Sequence, residues 1–264
     1  MRVMVFRFVM VVVLSAQVVP PATPRDYIGE LPPEARTPRL TKFFEEVKRK
    51  SPVPVRFTRA DRSSPDYWGE TSFRQSETVI SYGNGLGEEL ENLLAHELGH
   101  VWMREIGMSI VVRIVSPESK VVKQFCGEIS SAAEDFFIAK MMLSKGFQPQ
   151  ILWEHTAQKF LRAQYSPENV GDDSTQQLTG LRLFEVVDQR RLFGKDVVIT
   201  REQLEGTANS LNPRIVYYEH KYFDAVGTLE CTDTDTCFAR TKQLRDAVGF
   251  AGIVVQNSRT GRFE

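Results

Sequence analysis

Residues 87–107 read GEELENLLAHELGHVWMREIG. Leu90, Leu93, Leu94, Val101 and Trp102 recur at helical spacing, and Gly107 is a natural C-terminal stop, so the pattern predicts a helix from about Gly87 to Ile106. Within it stands His96-Glu97-Leu98-Gly99-His100. Two histidines at i and i+4 lie on one helix face about one turn apart, so both imidazoles can reach one metal ion. The intervening Glu97 projects close by, where it can take a proton from metal-held water. The chain has 4 histidines, and two of them form this pair. Leu94, Ala95, Val101 and Trp102 are uncharged, which makes the helix largely buried.

Upstream of the helix, Thr41 to Lys50 has Phe43, Phe44 and Val47 on one face and predicts a short helix capped by Thr41. Val53 to Arg59 alternates and predicts a strand, Thr71 to Phe73 a second and Glu77 to Tyr82 a third, before the turn residues Gly83-Asn84-Gly85. Downstream, Ile110 to Val115 fits a strand or a helix extension. Ser116 then caps a long helix from about Glu118 to Lys145, ended by Gly146. The pattern stays helical over roughly 149–164, 174–193, 200–210 and 213–228, and Val248 to Val255 fits a last strand. Strands first and helices after favour an α+β fold.

The first 16 residues, with Arg2 and Arg7 before the apolar run Phe8–Leu14 and small Ser15 and Ala16, have the layout of a secretory signal peptide, cleaved near Ala16. The run is far short of the roughly 20 apolar residues of a bilayer span. The expected protein is therefore exported, periplasmic or extracellular, with no membrane span in the mature chain. Residues 17–40 are Pro-rich and predict a linker or extended arm. Export permits disulfides. Cys231 and Cys237 bracket a polar pentapeptide and are candidates for one, whereas Cys126 sits in an apolar helical pattern as a small buried hydrophobe. With no CxxC pair, a cysteine zinc site is excluded. The chain has 264 residues, a formal charge of -1, 42% hydrophobic and 25% charged residues. Such values exclude a disordered chain, a collagen-like repeat and a polytopic membrane protein. Near-neutral charge and the lack of a long basic run give no reason to bind nucleic acid.

The HExxH helix following a strand, in an exported chain, resembles the zincin metallopeptidases over roughly residues 50–145. The resemblance implies a zincin-like catalytic core (41–150) with a small N-terminal sheet, followed by a mainly helical C-terminal region (151–264). It also implies one zinc ion, a water nucleophile, and hydrolysis of a peptide or protein substrate added to the sheet edge at the strand around Val79 to Tyr82. The extended pattern HExxHxxGxxH fails, because position 103 is Met and position 106 is Ile. The gluzincin subclass, whose third ligand is a Glu on a later helix, fits better. Three acids of the Glu118–Lys145 helix compete for that role. Glu134 ranks first, because Phe137, Ile138 and Met141 share its side and a buried charge there needs a partner; Asp135 and Glu128 follow. Glu134 in a salt bridge to a buried Arg is the plainer alternative. Many gluzincins carry an Asp four residues after the ligand; here that position is Ile138, which leaves the role of orienting a histidine to Asp135 or a backbone carbonyl. For the oxyanion, His220, a Tyr of the segment Tyr217–Tyr222, or Tyr82 are candidates, against the plainer reading of an aromatic helix packed on the core. His155 is expected to be a surface or structural histidine. The alternative function is a non-catalytic zinc-binding or protein-interaction module, against which the intact Glu97 argues.

Overall fold

The computed structural model describes residues 26–59, 69–83, 87–114, 120–162, 171–250 and 252–256, with 261 and 263. The expected signal peptide at 1–16 lies outside them. The described residues form an α+β fold that is mostly helical, with eight α-helices and six short strands. None of these helices is long and apolar enough to cross a membrane.

The mixed sheet contains β1 (Asp26–Ile28), β2 (Val55–Arg59), β3 (Gly69–Phe73) and β4 (Thr78–Tyr82), in the order β1-β2-β4-β3. β2 and β4 run parallel, and β1 and β3 flank them antiparallel. The strand around Val79 to Tyr82, expected at the edge, is therefore central. Its residues explain this: Val79, Ile80 and Tyr82 are buried, as suits a strand covered on both faces. The edges are β1 and β3, and β3, whose sequence Gly-Glu-Thr-Ser-Phe is more polar and more exposed, is the one on the side of β4.

Helix α1 (Pro38–Lys50) and helix α2 (Gly87–Glu105) pack against each other beside the sheet. In α1, Leu40, Phe43, Phe44 and Val47 are buried at helical spacing. Its start is at Pro38 rather than Thr41, because Thr37 accepts a hydrogen bond from the Leu40 N–H (3.1 Å) and proline suits the first turn. The Pro-rich segment read as a linker accordingly enters the fold from Asp26 onward, where β1 pairs with β2 and Leu31 and Ala35 are buried. Helix α2 ends as its sequence requires. Gly107 adopts φ 74°, its N–H bonds to the Arg104 carbonyl, and the Met108 N–H bonds to the Met103 carbonyl, closing a Schellman motif.

Helix α3 (Lys120–Ser144) crosses α2 and carries the rest of the molecule on its other sides. Helices α5 (Asp173–Arg190) and α8 (Thr234–Val248) pack on α3; α4 (Gln150–Leu161), α6 (Arg201–Leu211) and α7 (Pro213–Val226) complete the helical region. β5 (Val111–Ile114) pairs antiparallel with β6 (Ile253–Gln256), so the last strand begins at Ile253, not Val248. Residues 234–248 instead form α8, opened by an Asp233–Thr236 capping box. Cys231 and Cys237 are joined by a disulfide at the start of α8, and both lie in the core that contains α1 and α2. The C-terminal region thus shares its core with the N-terminal one. Cys126 is a free thiol of intermediate burial.

Helices α2 and α3 approach closely at Gly99, where a side-chain Cβ would meet Ile138 Cγ2 at 2.6 Å. Ile138 is fully buried and β-branched, so it has little room to yield. Gly99→Val is expected to destabilise the protein by about 1–3 kcal/mol through overpacking. Urea unfolding measures this as a lower midpoint; an unchanged midpoint would show that the two helices do not meet there.

Candidate functional site

Helix α2 presents His96, Glu97 and His100 to a cavity of about 530 Å³, and α3 presents Glu134 and Asp135 to it. Strand β3 supplies Gly69, Glu70, Thr71 and Phe73 to one wall, and α4 and α5 supply the opposite side. The two imidazole rings are 5.0 Å apart and nearly perpendicular.

Asp135 is the carboxylate that meets both histidines. Its Oδ1 is 3.5 Å from His100 Nε2 and its Oδ2 is 3.8 Å from His96 Nε2. Ligand atoms of the three residues lie within 4.8 Å of one another. Glu134, the first-ranked ligand on sequence, is engaged differently. Its Oε2 is 3.0 Å from His100 Nδ1, and its Oε1 accepts from the Ser109 hydroxyl (2.9 Å) and the Ile110 N–H (3.1 Å). An ionised carboxylate only accepts, so Nδ1 carries the ring proton and Nε2 is left facing the cavity. Glu134 thus holds the Nδ1 side of His100, while Asp135 is the acid that stands near both Nε2 atoms. Glu128 does neither, because it pairs with Arg182 (2.8 Å to Nε).

The three residues His96, His100 and Asp135 fit a divalent cation. Two imidazole nitrogens and one carboxylate are a donor set that suits zinc. Asp135 Oδ1 is buried and makes no hydrogen bond among the described residues. The electrostatics of the three groups differ. Burial, reinforced by the charge of His100, pushes the His96 pKa down to about 3. Burial also opposes the charge on His100, but the Glu134 hydrogen bond and the charges of Asp135, Glu134 and Glu97 carry its pKa up to about 9. Burial pushes Asp135 up to about 7. His96 is thus held neutral and Asp135 resists ionising, while His100 carries a proton that it would give up on binding a cation.

Glu97 is fixed from the sheet. Thr71 Oγ1 donates to Glu97 Oε2 (2.7 Å), and a Cβ on Gly69 would fall 2.5 Å from Glu97 Oε1. The edge strand therefore lies directly against the carboxylate, and glycine is the residue that permits it. Burial raises the Glu97 pKa, with His100 and the Thr71 hydrogen bond acting in the opposite direction. Thr71, Gly69 and Ser109 escape the sequence reading, since no local pattern ties them to the helix. Glu185 of α5 also escapes it, although a carboxylate inside the run Leu183-Phe184-Glu185-Val186-Val187 is a visible signal.

None of the oxyanion candidates lines the cavity. Tyr82 is fully buried with its hydroxyl 3.3 Å from Glu34. Tyr217 is exposed, Tyr218 donates to Asp173 (2.6 Å) and Tyr222 to the Gln177 carbonyl (3.3 Å). His220 stands in a separate polar group, 3.2 Å from Glu219 Oε2 and 3.5 Å from Glu205 Oε1. There the Arg201 guanidinium, 3.0 Å from Glu219 Oε1, already occupies the cation's place. His155 is exposed on α4. No family model, curated protein or solved structure matches the chain.

Burial raises the Glu219 pKa to about 7, against the pull of Arg201. An acid whose folded pKa lies above its unfolded value favours the fold while protonated, and that contribution fades as pH rises from about 4.5 to 7. Across that window, wild type should lose stability relative to Glu219→Gln. Urea titrations of both chains at the two ends of the window measure it; a constant difference would contradict the assignment.

Proposed function

We propose that the chain is an exported, zinc-dependent metallopeptidase on a zincin-like core, in which His96, His100 and Asp135 hold the ion and Glu97 is the general base. The observation that carries this reading is the meeting of the Asp135 carboxylate with the cavity-facing Nε2 atoms of both histidines, beside a Glu97 held by the edge strand. Export is supported by the Arg2/Arg7 apolar leader and by the Cys231–Cys237 disulfide.

When bound, zinc supplies Lewis-acid polarisation of the scissile carbonyl and lowers the pKa of water to about 7. The chain's own groups do the rest. The open edge of β3 pairs with an extended peptide by strand addition, which sets the scissile bond against α2. Glu97 accepts the proton of the attacking water and delivers it to the leaving amine, a double duty helped by a pKa that burial has raised. Thr71 keeps Oε2 of Glu97 engaged, and Gly69 leaves the space beside Oε1 clear of a side chain. Glu134 fixes the tautomer and angle of His100. A purely structural metal site would need neither an open cavity nor Glu97, which weighs against the binding-module reading.

Glu97→Gln keeps size and shape but loses the proton acceptor. Hydrolysis of an unfolded protein should fall by about 10²–10⁴-fold while zinc content by elemental analysis stays normal. Full activity in that variant would end the assignment of the base.

The two acids of α3 should separate by zinc affinity. Asp135→Asn is expected to abolish stoichiometric binding, and Glu134→Gln to weaken it by about 10–100-fold. Competition with a chromogenic chelator measures both, and the reverse ranking would return the ligand role to Glu134.

A further inference from the structure

Besides Glu70 of the edge strand, four carboxylates from α2, α3 and α5 line the cavity, and three of them have an assigned task. Glu134 holds His100, Asp135 meets both histidines, and Glu97 lies on Thr71. Glu185 is the fourth. Its oxygen Oε1 accepts from the neutral amide of Gln189 (3.2 Å), the carboxyl of Asp135 is hydrogen-bonded to it, and the charges of Glu128 and Arg182 also reach it. The nearest guanidinium on its helix, that of Arg182, is engaged with Glu128. Among the described residues no Lys or Arg lines the cavity. Of the lining residues, Glu185 thus meets a carboxyl and an amide, so a cation entering the cavity would gain from its charge.

The wall next to Glu185 is apolar. Pro149, Leu152 and Trp153 come from the start of α4 and the residue before it, and Val186 follows Glu185 on α5. Trp153 spends its only polar atom on the Val186 carbonyl (2.7 Å), so it shows the cavity a hydrocarbon face. An apolar wall ending in a carboxylate is complementary to one kind of side chain, a methylene stem with a cationic head.

Resting on the peptidase reading, we propose that Glu185 forms the end of a specificity subsite that receives a Lys or Arg side chain of the substrate. The stem lies along Leu152, Trp153 and Val186, and the head meets Glu185. Glu70, exposed on the edge strand at the same cavity, adds charge of the same sign along the approach.

The test uses the zinc-loaded chain and quenched fluorescent peptides that carry Lys, Arg, norleucine or Glu at each position around the cleaved bond. At one position, kcat/KM for Lys or Arg should exceed that for norleucine by about tenfold or more, with Glu lower still. In Glu185→Gln that ratio should fall to near one. A ratio near one in wild type, or one that Glu185→Gln leaves intact, overturns the proposal.

A second readout needs no turnover. Calorimetric binding of the Lys and norleucine peptides to zinc-loaded Glu97→Gln should favour Lys, and Glu97→Gln/Glu185→Gln should lose the preference. A wild type that cleaves no peptide while this preference persists would sink the peptidase reading and keep the cationic subsite. A second zinc ion bound by wild type and lost in Glu185→Gln would make Glu185 a ligand, and would overturn the subsite.

Discussion

The contact of Gly99 with Ile138 sets the distance and the rotation of two helices, and the site depends on both. Ile138 reaches α2 only because Gly99 has no side chain. Glu134 and Asp135 lie four and three residues before Ile138, on the same side of α3. His96 lies three residues before Gly99, and His100 follows it. Once the two helices meet at this point, the acids of one and the histidines of the other must face each other. The geometry that puts Glu134 on His100 Nδ1 and Asp135 between the two Nε2 atoms follows from that one packing choice.

The remaining contacts keep α2 from shifting under the charges it carries. Near its start, Glu91 is buried and bound by Arg39 (2.5 Å), with Thr37 also donating to it. Asn92 accepts from the Gln148 N–H (2.7 Å) and donates to the Glu88 carbonyl (2.8 Å), which ties α2 to the turn before α4. Ser109 and Ile110, just beyond the Schellman turn, close on Glu134. A group of buried carboxylates and imidazoles is costly to assemble, and a scaffold held on several sides is what allows it to persist. Functional geometry on packed helices and one strand is held more tightly than on loops.

Local spacing made part of this legible and long-range packing hid the rest. The His96–His100 pair and the helix that carries it follow from residues within one turn of each other. The third acid does not, because Glu134 and Asp135 are adjacent and their roles depend on how α3 is rotated against α2. That rotation is fixed by Ile138 and Met141 against Gly99, a contact between segments far apart in sequence. The strand at the sheet edge was misjudged for a related reason. Val79 and Ile80 make β4 the more obvious strand, yet hydrophobic residues on both faces mark a central strand, and the mixed β3 is the one left at the border. Proline density hid β1, since prolines favour the extended backbone that a short edge strand also adopts. A capping box hid α8, whose first residues, rich in Thr and Asp, look like a loop when read alone. His220 and the tyrosines of α7 resemble site residues by type, but their partners are Glu205, Glu219, Asp173 and Gln177.

The central claim is that two imidazoles and one carboxylate of α2 and α3 share one zinc ion. X-ray absorption at the zinc edge of the stoichiometrically loaded chain tests it most directly. Nitrogen and oxygen neighbours at about 2.0–2.2 Å are expected. Multiple scattering from two imidazole rings is expected as well, reduced to one ring in either His96→Ala or His100→Ala. A shell with no imidazole scattering, or one that neither substitution alters, would contradict it.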